Sequence, residues 1–456
     1  MEIKNLSSDK FVSIESFEFK SAIGCHDQCE LVALINEKDA GCFNGLLNKT
    51  VGLKDKNFDW TGIVVESELM SRVEGIYVRV RLNGLTVKHD KSIRNRIFQQ
   101  PEKTFNDIFG AMKLEGATLI GEGKNTKVPG IQIQDGETDF EFLKRLTAAL
   151  GLRLFAESKG ALKFIAGEFI SNAQKNLKVD KIKIWSQTES ADGNRLVLST
   201  DENLNVGEKI SVGGKTFIVE KKRIVNESTR FVQYCQLKEC KKINAAPSTV
   251  EKILSATVAK NDDPNKSGRV QVDFLEPFDD VLKGDRAWIE MCNDYSSGDK
   301  GLIFIPNVGD AVSVCVRNGV GSYISARRDK KIGAPFDSPD KKYLIWGDKQ
   351  FIELNNDALI LKNNDATITV GKDKIEIAVG DKNKITVDKN AINLSVGDNK
   401  FLVDKNRILS EIKKTAVELT DAVKVKSGDV KIEGRSSMEM SGGSVKIKGR
   451  GGVDIN

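Results

Sequence analysis

Apolar and polar residues alternate with a period of two along the last quarter of the chain. The clearest units read ATITVGKDK, IEIAVGDKN, KITVDKN, AINLSVGDNK and FLVDKN, between residues 366 and 406. Such alternation is the period of a β-strand whose two faces differ. The Gly-Lys, Gly-Asp or Asp-Lys pair near the end of each unit supplies turn residues. The pattern therefore predicts a series of short strands joined by tight turns.

The repeat is short, because one strand and one turn fill only seven to nine residues. Its anchor valines, at steps of 9, 8, 9 and 7 residues, are Val370, Val379, Val387, Val396 and Val403. Two architectures fit this period: three units form one coil of a single chain, or each unit forms one side of a prism that three chains complete. We favour three chains, because an isolated ribbon would expose a long apolar stripe, which soluble monomers avoid.

The inward apolar positions of this repeat are the predicted core of a needle. After residue 420 similar apolar pairs recur every seven or eight residues. The predicted core residues are Ile375, Ile377, Val379, Ile385, Val387, Ile392, Leu394, Val396, Val430, Ile432, Val445 and Ile447.

Two further patterns precede the repeat. Residues 250–330 contain five short alternating runs, at 254–258, 269–274, 287–291, 302–305 and 311–316, separated by turn clusters. Five short strands in a segment of this length predict a small closed barrel of the OB type. The first 243 residues mix strand-like runs, at 31–35, 62–65 and 77–82, with helical spacing at 104–114 and 138–150. Thr104 is the expected N-cap of the first helix, and Gly151 is expected to end the second.

Composition narrows the class of protein. The chain has 456 residues, of which 39% are apolar and 30% charged, as in globular proteins. It has no apolar run of membrane-spanning length and no apolar segment near Met1 that would form a secretory signal, so we expect synthesis in the cytoplasm. A net charge of +5 is too small to predict nucleic acid as a partner. All eight prolines precede residue 340, which fits paired strands in the tail.

Candidate catalytic and metal-binding groups are few. The two histidines are His26 and His89, and the seven cysteines are expected to be reduced thiols. Cys25 and Cys29 have zinc-like spacing but lack a second pair of ligands, so no metal is expected. Glu137 and Glu141 are four residues apart, as on one face of a helix, where helix-dipole stabilisation is the favoured interpretation. We therefore expect no enzymatic activity and no cofactor.

Several motifs occur in an order that resembles a known family. They are D-W-T-G-I-V at 59–64, R-N-R-I-F-Q at 94–99, E-T-D-F-E-F-L-K-R-L at 137–146, A-T-V at 256–258, G-R-V-Q-V at 268–272 and P-N-V-G-D-A-V at 306–312. Together they resemble the VgrG-type spikes of contractile injection systems, the family of type VI secretion and of phage-tail hub and spike proteins. The resemblance covers nearly the whole chain.

The resemblance implies a mainly β protein with an α+β hub, an OB-fold barrel and a C-terminal triple-stranded β-helix formed as a homotrimer. The expected domains are a tube-capping hub at 1–245, an OB neck at 250–330, a linker at 331–349 and a needle at 350–456. The implied partners are an Hcp-like tail-tube protein, baseplate proteins, a PAAR-type tip protein and effectors. Val453 and Ile455 are the expected contacts of the tip protein.

The implied function is a non-enzymatic spike that caps the inner tube, is anchored in the baseplate and punctures the target envelope, meeting the membrane only transiently. Such a protein is assembled in the baseplate and ejected into the extracellular space or the target cell. The alternative is a β-helical protein that acts on carbohydrate or binds a host cell, like a tail fibre. A third possibility, that the barrel binds single-stranded nucleic acid, is disfavoured by the acids interleaved with its aromatic residues.

Overall fold

The computed structural model divides into two compact bodies, Met1–Gly333 and Ala334–Asn456. The residues it describes are 2–55, 58–99, 102–191, 193–227, 230–240, 245, 251–281, 286–293, 296–297, 300–301, 303–327, 340–347, 349–405, 408–411, 426–434 and 436–449.

The first body is built mainly from strands. Its strands are β1 (Glu2–Lys4), β2 (Phe11–Ala22), β3 (Gln28–Ile35), β4 (Thr50–Asp55), β5 (Phe58–Arg72), β6 (Gly75–Gly84), β7 (Ile93–Phe98), β8 (Ala117–Ile120), β9 (Gln132–Thr138), β10 (Arg153–Lys159), β11 (Ala161–Gly167), β12 (Gln174–Asn176), β13 (Ile182–Thr188), β14 (Arg195–Thr200), β15 (Lys209–Val212), β16 (Lys215–Glu227), β17 (Arg230–Glu239), β18 (Glu251–Lys260), β19 (Gln271–Phe274), β20 (Asp279–Asp280), β21 (Glu290–Met291), β22 (Ser296–Ser297), β23 (Lys300–Gly301), β24 (Ala311–Arg317) and β25 (Val320–Arg327). Its helices are α1 (Phe105–Met112) and α2 (Asp139–Ala149), with 3₁₀ turns at Ser8–Lys10, Glu37–Phe43, Leu85–His89, Glu122–Asn125 and Val179–Lys181.

One large sheet organises the N-terminal part of this body. Its strands follow the order β1-β4-β5-β6-β3-β2-β16-β17-β14-β13, and β12 joins through β15, which pairs with β16. The pairing of β2 with β16 connects two apolar cores, one around Leu31 and Leu53 and the other around Leu198 and Leu237. The strands expected at 31–35, 62–65 and 77–82 lie within β3, β5 and β6.

The two helices cover a third core that includes strands β8, β10 and β11. Each helix begins with a capping box. The hydroxyl of Thr104 or Thr138 accepts a hydrogen bond from the backbone N–H of Asp107 or Glu141, respectively. The carboxylate of that Asp107 or Glu141 in turn accepts from the backbone N–H of the threonine. The apolar faces pack inward, with Phe105 and Phe142 fully buried. Both helix predictions are confirmed, because caps and apolar spacing are local signals.

The OB-type barrel of this body has the strand order β19-β18-β24-β25-β21. The runs expected at 254–258 and 311–316 lie in β18 and β24. The expectation of a strand at 302–305 is wrong where it can be compared, since the described residues 303–305 pair with no strand and their side chains are exposed. The described apolar residues 303–305 lie in an exposed loop rather than in a half-buried strand.

The barrel packs directly on the preceding segment. Ile97 of β7, Ile131 just before β9 and Ile133 of β9 share its core. Nearby, Gly130 lies so close to Gly319 that a Cβ atom added to Gly130 would be 2.0 Å from the Gly319 carbonyl oxygen.

The second body is a ribbon of short strands. They are β26 (Lys342–Gly347), β27 (Gln350–Leu354), β28 (Ala358–Asn363), β29 (Ala366–Gly371), β30 (Lys374–Val379), β31 (Asn383–Asp388), β32 (Ala391–Val396), β33 (Asn399–Asp404) and β34 (Ile408–Glu411). They form one sheet in chain order, and each neighbouring pair is antiparallel. The ladder begins at Lys342, inside the segment 331–349 that the sequence assigns to a linker.

Candidate functional site: the apolar face of the C-terminal ribbon

The register of the ribbon gathers its apolar side chains on one face. Because partners in an antiparallel ladder point to the same side of the sheet, directly paired residues form columns along the ribbon. One column is Leu354, Leu359, Val370, Ile375, Val387, Ile392 and Val403. The next is Leu344, Ile352, Leu361, Ile368, Ile377, Ile385, Leu394 and Phe401. We call this surface the apolar ribbon face.

The opposite face of the ribbon is largely polar. Its columns bring Thr369, Glu376 and Thr386 together, and beside them Thr367, Ala378 and Lys384. Apart from Ile352 and Val403, which are half-buried, the large side chains of the apolar ribbon face stay 36–56% exposed. A sheet that is polar on one side and exposes apolar columns on the other lacks a covering layer.

Six of the twelve sequence-predicted core residues lie in the two columns. Ile375, Ile377, Ile385, Val387, Ile392 and Leu394 occupy neighbouring positions there. Val379 and Val396 lie on the same face in a marginal third column, where both pair with Asn383. Their role as the core of a trimeric needle stays a prediction.

Several members of the face were not among the predicted core residues. They are Leu344, Ile352, Leu354, Leu359, Leu361, Ile368, Val370, Phe401 and Val403. The alternation in ALILKN and ATITVG, at 358–363 and 366–371, is the signal that would have found the middle of this group.

The C-terminal candidates are placed differently. Val430, Ile432, Val445 and Ile447 are 52–70% exposed and belong to no strand among the described residues. Val453 and Ile455 lie outside the described residues. The roles of all six stay predictions from the sequence.

The three cysteines near the N-terminus differ in solvent exposure. Cys25 and Cys42 are exposed and Cys29 is buried, and burial raises the pKa of the Cys29 thiol. Within the described residues, no three His, Cys, Asp or Glu side chains are grouped so as to hold a metal ion.

The prediction that Glu137 and Glu141 share a helix face is wrong. Glu137 lies in β9, before the helix, and its carboxylate accepts from the Arg145 guanidinium at 2.7 and 2.8 Å. Glu141 completes the capping box by accepting from the Thr138 N–H at 3.0 Å. The N-cap at Thr138 separates the two acids, so each has its own structural partner.

His26 joins a chain of polar groups that resembles a hydroxyl–imidazole–carboxylate arrangement. Its Nδ1 lies 2.7 Å from the Thr86 hydroxyl, and its Nε2 lies 2.8 Å from Asp90 Oδ2. A nucleophile must reach a substrate, but Thr86 is only 2% exposed. Asp90 also accepts from the Thr138 hydroxyl, and the His26 ring stacks on Phe140. The chain of contacts therefore fixes the start of α2 against the preceding turn.

A loop of the barrel is held by a charged pair. Asp263 accepts from the Arg269 guanidinium at 2.6 Å and from the backbone N–H groups of Asn265, Ser267 and Arg269. These donors lower the pKa of the Asp263 carboxyl, with Arg269 as the largest cause. The pair closes the turn that precedes β19.

No helix in the described part of the chain combines the length and the apolar character that crossing a bilayer requires.

Comparison with known proteins agrees with this architecture. Residues 254–323 match the family model of the type VI secretion system/phage-baseplate injector OB domain. No curated protein matches the sequence. Among solved structures, the Escherichia coli c3393 protein, a component of the type VI secretion system with structural similarity to the T4 phage tail proteins gp27 and gp5, is similar with a TM-score of 0.51 and 14% identity. That match covers 72% of this chain and 99% of c3393.

Two further solved structures are more distant. The lidded Francisella PdpA–VgrG complex matches with a TM-score of 0.49 and 9% identity, over 87% of this chain and 76% of that one. A tail protein of Neisseria meningitidis matches with a TM-score of 0.40 and 12% identity, over 50% of this chain and 93% of that one.

The chain is thus a mainly β protein with an injector-type OB domain and a fold shared with c3393. Its sequence resemblance to VgrG-type spikes is confirmed at the level of the OB-domain model and of the fold.

Proposed function

We propose that this protein is the non-enzymatic, trimeric spike and hub of a contractile injection machine. In this proposal residues 1–245 cap the inner tube, 250–330 form a neck anchored in the baseplate, and the ribbon forms the puncturing needle beyond a linker. The injector OB domain and the c3393-like fold support the kind of machine. The apolar ribbon face supports the needle, and it is the observation that carries the proposal.

The free energy available from covering this face is large. Fully burying one Val, Leu or Ile side chain stabilises by about 1.5–3 kcal/mol, and roughly 40% of that remains to be gained at these positions. The exposed positions on the face are Leu344, Leu354, Leu359, Leu361, Ile368, Val370, Ile375, Ile377, Val379, Ile385, Val387, Ile392, Leu394, Val396 and Phe401. Fifteen such residues correspond to roughly 10–20 kcal/mol per chain as an upper value. Association costs of about 4–15 kcal/mol are of comparable or smaller size.

Other copies of the same chain are the proposed cover. A single-chain parallel β-helix pairs strands of successive coils, whereas each described ribbon strand pairs antiparallel with its chain neighbours. The ribbon therefore does not close on itself within the described residues. Identical ribbons supply identical apolar columns, and the number three follows from the resemblance to VgrG-type spikes.

The oligomeric mass tests this proposal. Light scattering on the full-length chain should give three times 50.3 kDa, and a matched chain ending at Lys341 should lose the trimer's resistance to SDS and protease. A full-length monomer would refute the needle and favour the carbohydrate-binding alternative. A dimer would replace the prism with a two-ribbon sandwich.

The finer roles need the assembled machine. A tail-tube protein, baseplate proteins, a PAAR-type tip protein at Val453 and Ile455, and effectors are the proposed partners. Deleting residues 342–456 in the encoding cell should abolish delivery into target cells. Unchanged delivery by particles that contain the shortened chain would contradict the puncturing role.

A further inference from the structure

A cleft of about 410 Å³ in the first body combines charge with a buried, unpartnered imidazole nitrogen. It is lined by residues of the 3₁₀ turn Leu85–His89, of β7 and the segment before it, of the end of α1 and the loop after it, and by the first residue of α2. Clefts of roughly 300–1,000 Å³ are typical of small-molecule sites. The cleft is therefore large enough for a small ligand.

Three cations at this cleft have no ion-pair or hydrogen-bond partner for their side chains among the residues that the structure describes. Lys88, Arg94 and Lys113 line it with exposed side chains, and none forms an ion pair or a side-chain hydrogen bond within the described residues. Lys113 has a φ of 51° as the C-cap of α1, where its backbone N–H bonds to the Gly110 carbonyl oxygen. These three side chains come from three separate elements of the fold.

The other charged groups that line the cleft cancel only part of the positive charge of these three cations. Arg96 is already paired with Asp139, at 2.5 Å, and also donates to Gln134. Glu115 is the remaining acid in the lining. Three unpaired cations against one acid leave two positive charges, which matches the charge of about −2 on a phosphate monoester at neutral pH.

His89 supplies the second observation. It is 9% exposed and lines the cleft, and its buried Nε2 has no hydrogen-bond partner in the described part of the chain. Its ring meets Phe164 edge to face at 6.0 Å, and burial lowers the pKa of the imidazole. A buried polar atom without a partner requires a physical explanation, such as a bound ion or water.

We propose that this cleft binds a phosphoryl group, either as free phosphate or as the phosphate of a small monoester. Arg94 offers a planar fork that suits two phosphate oxygens, and Lys88 and Lys113 contribute point charges. Phosphate is favoured over a carboxylate because one carboxylate would leave a cation unpaired. Adjustment of the His89 ring on binding would give its Nε2 a polar partner.

Calorimetry on the full-length protein tests the site with four probes: inorganic phosphate, methyl phosphate, acetate and sodium chloride. We expect one phosphate per chain in the presence of physiological salt, and no saturable heat from acetate or chloride. If methyl phosphate binds as tightly as inorganic phosphate, the site accepts phosphate esters. If inorganic phosphate alone binds, the site is assigned to the free ion. No saturable binding at millimolar phosphate, or equal binding of acetate, would overturn the proposal.

Matched charge variants locate the binding. Arg94→Gln with Lys113→Gln should weaken phosphate binding about tenfold or more, since hydrogen bonds to charged groups are lost. The control, Lys49→Gln with Lys54→Gln, removes the same charge from exposed residues that do not line the cleft. If phosphate binding were weakened equally in both variants, the net charge of the protein would explain the effect, and the proposed site would be refuted.

The chain offers a spectroscopic reporter because it contains only two histidines. With ¹³C-labelled histidine, phosphate should shift the ring signal of His89 and leave that of His26 unchanged. Loss of one of the two signals in a His26→Asn variant, measured without phosphate, assigns both. Shifts of both signals, or of neither, at saturating phosphate would refute contact with His89.

Discussion

An aspartate at the centre of the apolar ribbon face tests whether that face is the buried core of an oligomer. Ile377 lies in the second column between Ile368 and Ile385, and is 40% exposed in the single chain. Ala378, the next residue, points to the opposite face between Thr367 and Lys384. Ile377→Asp and Ala378→Asp therefore place the same charge on the same strand, on opposite faces.

The expected difference between these variants is large. Burying an unpaired carboxylate costs several kcal/mol, so three copies in one trimer cost on the order of 10 kcal/mol. That is about seven powers of ten in the association constant. The loss of strand propensity for Asp, at most about 1 kcal/mol, is common to both variants. Ala378→Asp additionally gains Lys384 as a neighbouring opposite charge.

The assay is light scattering over a range of protein concentrations, with melting of the far-ultraviolet circular dichroism signal. Ile377→Asp should dissociate at concentrations where the wild-type chain and Ala378→Asp remain trimeric. Equal behaviour of the two aspartate variants would refute the assignment of this face to a core. Dissociation of Ala378→Asp alone would assign the core to the opposite face.

Three further predictions concern the first body. Gly130→Ala should lower the free energy of unfolding in urea by several kcal/mol, because the alanine Cβ would overlap the backbone at Gly319. Gly136 has a similar φ but open space around it, so Gly136→Ala should cost only about 1–2 kcal/mol. Asp263→Asn should lower stability at neutral pH, and its difference from wild type should shrink as pH falls below about 4, because the lowered pKa stabilises only the charged form. Thr138→Ala should cost at least about 1 kcal/mol, measured by the same unfolding, because it removes both the cap and the hydrogen bond from the Thr138 hydroxyl to Asp90.

Each of these has an outcome that would contradict it. Equal losses in Gly130→Ala and Gly136→Ala would mean that backbone conformation, not close approach, sets the cost. An Asp263→Asn difference that grows toward acid pH would reverse the sign of the linkage. If Thr138→Ala left the free energy of unfolding unchanged, another group would have to accept a hydrogen bond from the freed N–H of Glu141.

Local signals in the sequence predicted much of the fold. The alternation in residues 366–406 predicted strands and turns, and Thr104 and Thr138 marked helix starts, because period and capping depend on neighbours a few residues away. The same locality explains two errors. The run at 302–305 is apolar like a buried strand, but its described residues 303–305 have no pairing partner. Glu137 has helical spacing to Glu141, although β9 extends through Thr138.

The sequence by itself determined that the tail is a repeat of strands with one apolar side. The reason is that successive side chains of a strand point to opposite faces, whichever strand it pairs with. Only the tertiary structure decided the register that aligns Ile375 with Val387 and Ile377 with Ile385. It alone brought Lys88, Arg94 and Lys113 to one cleft. Strand pairing and the meeting of distant elements depend on contacts between residues far apart in the chain, which short-range patterns do not specify.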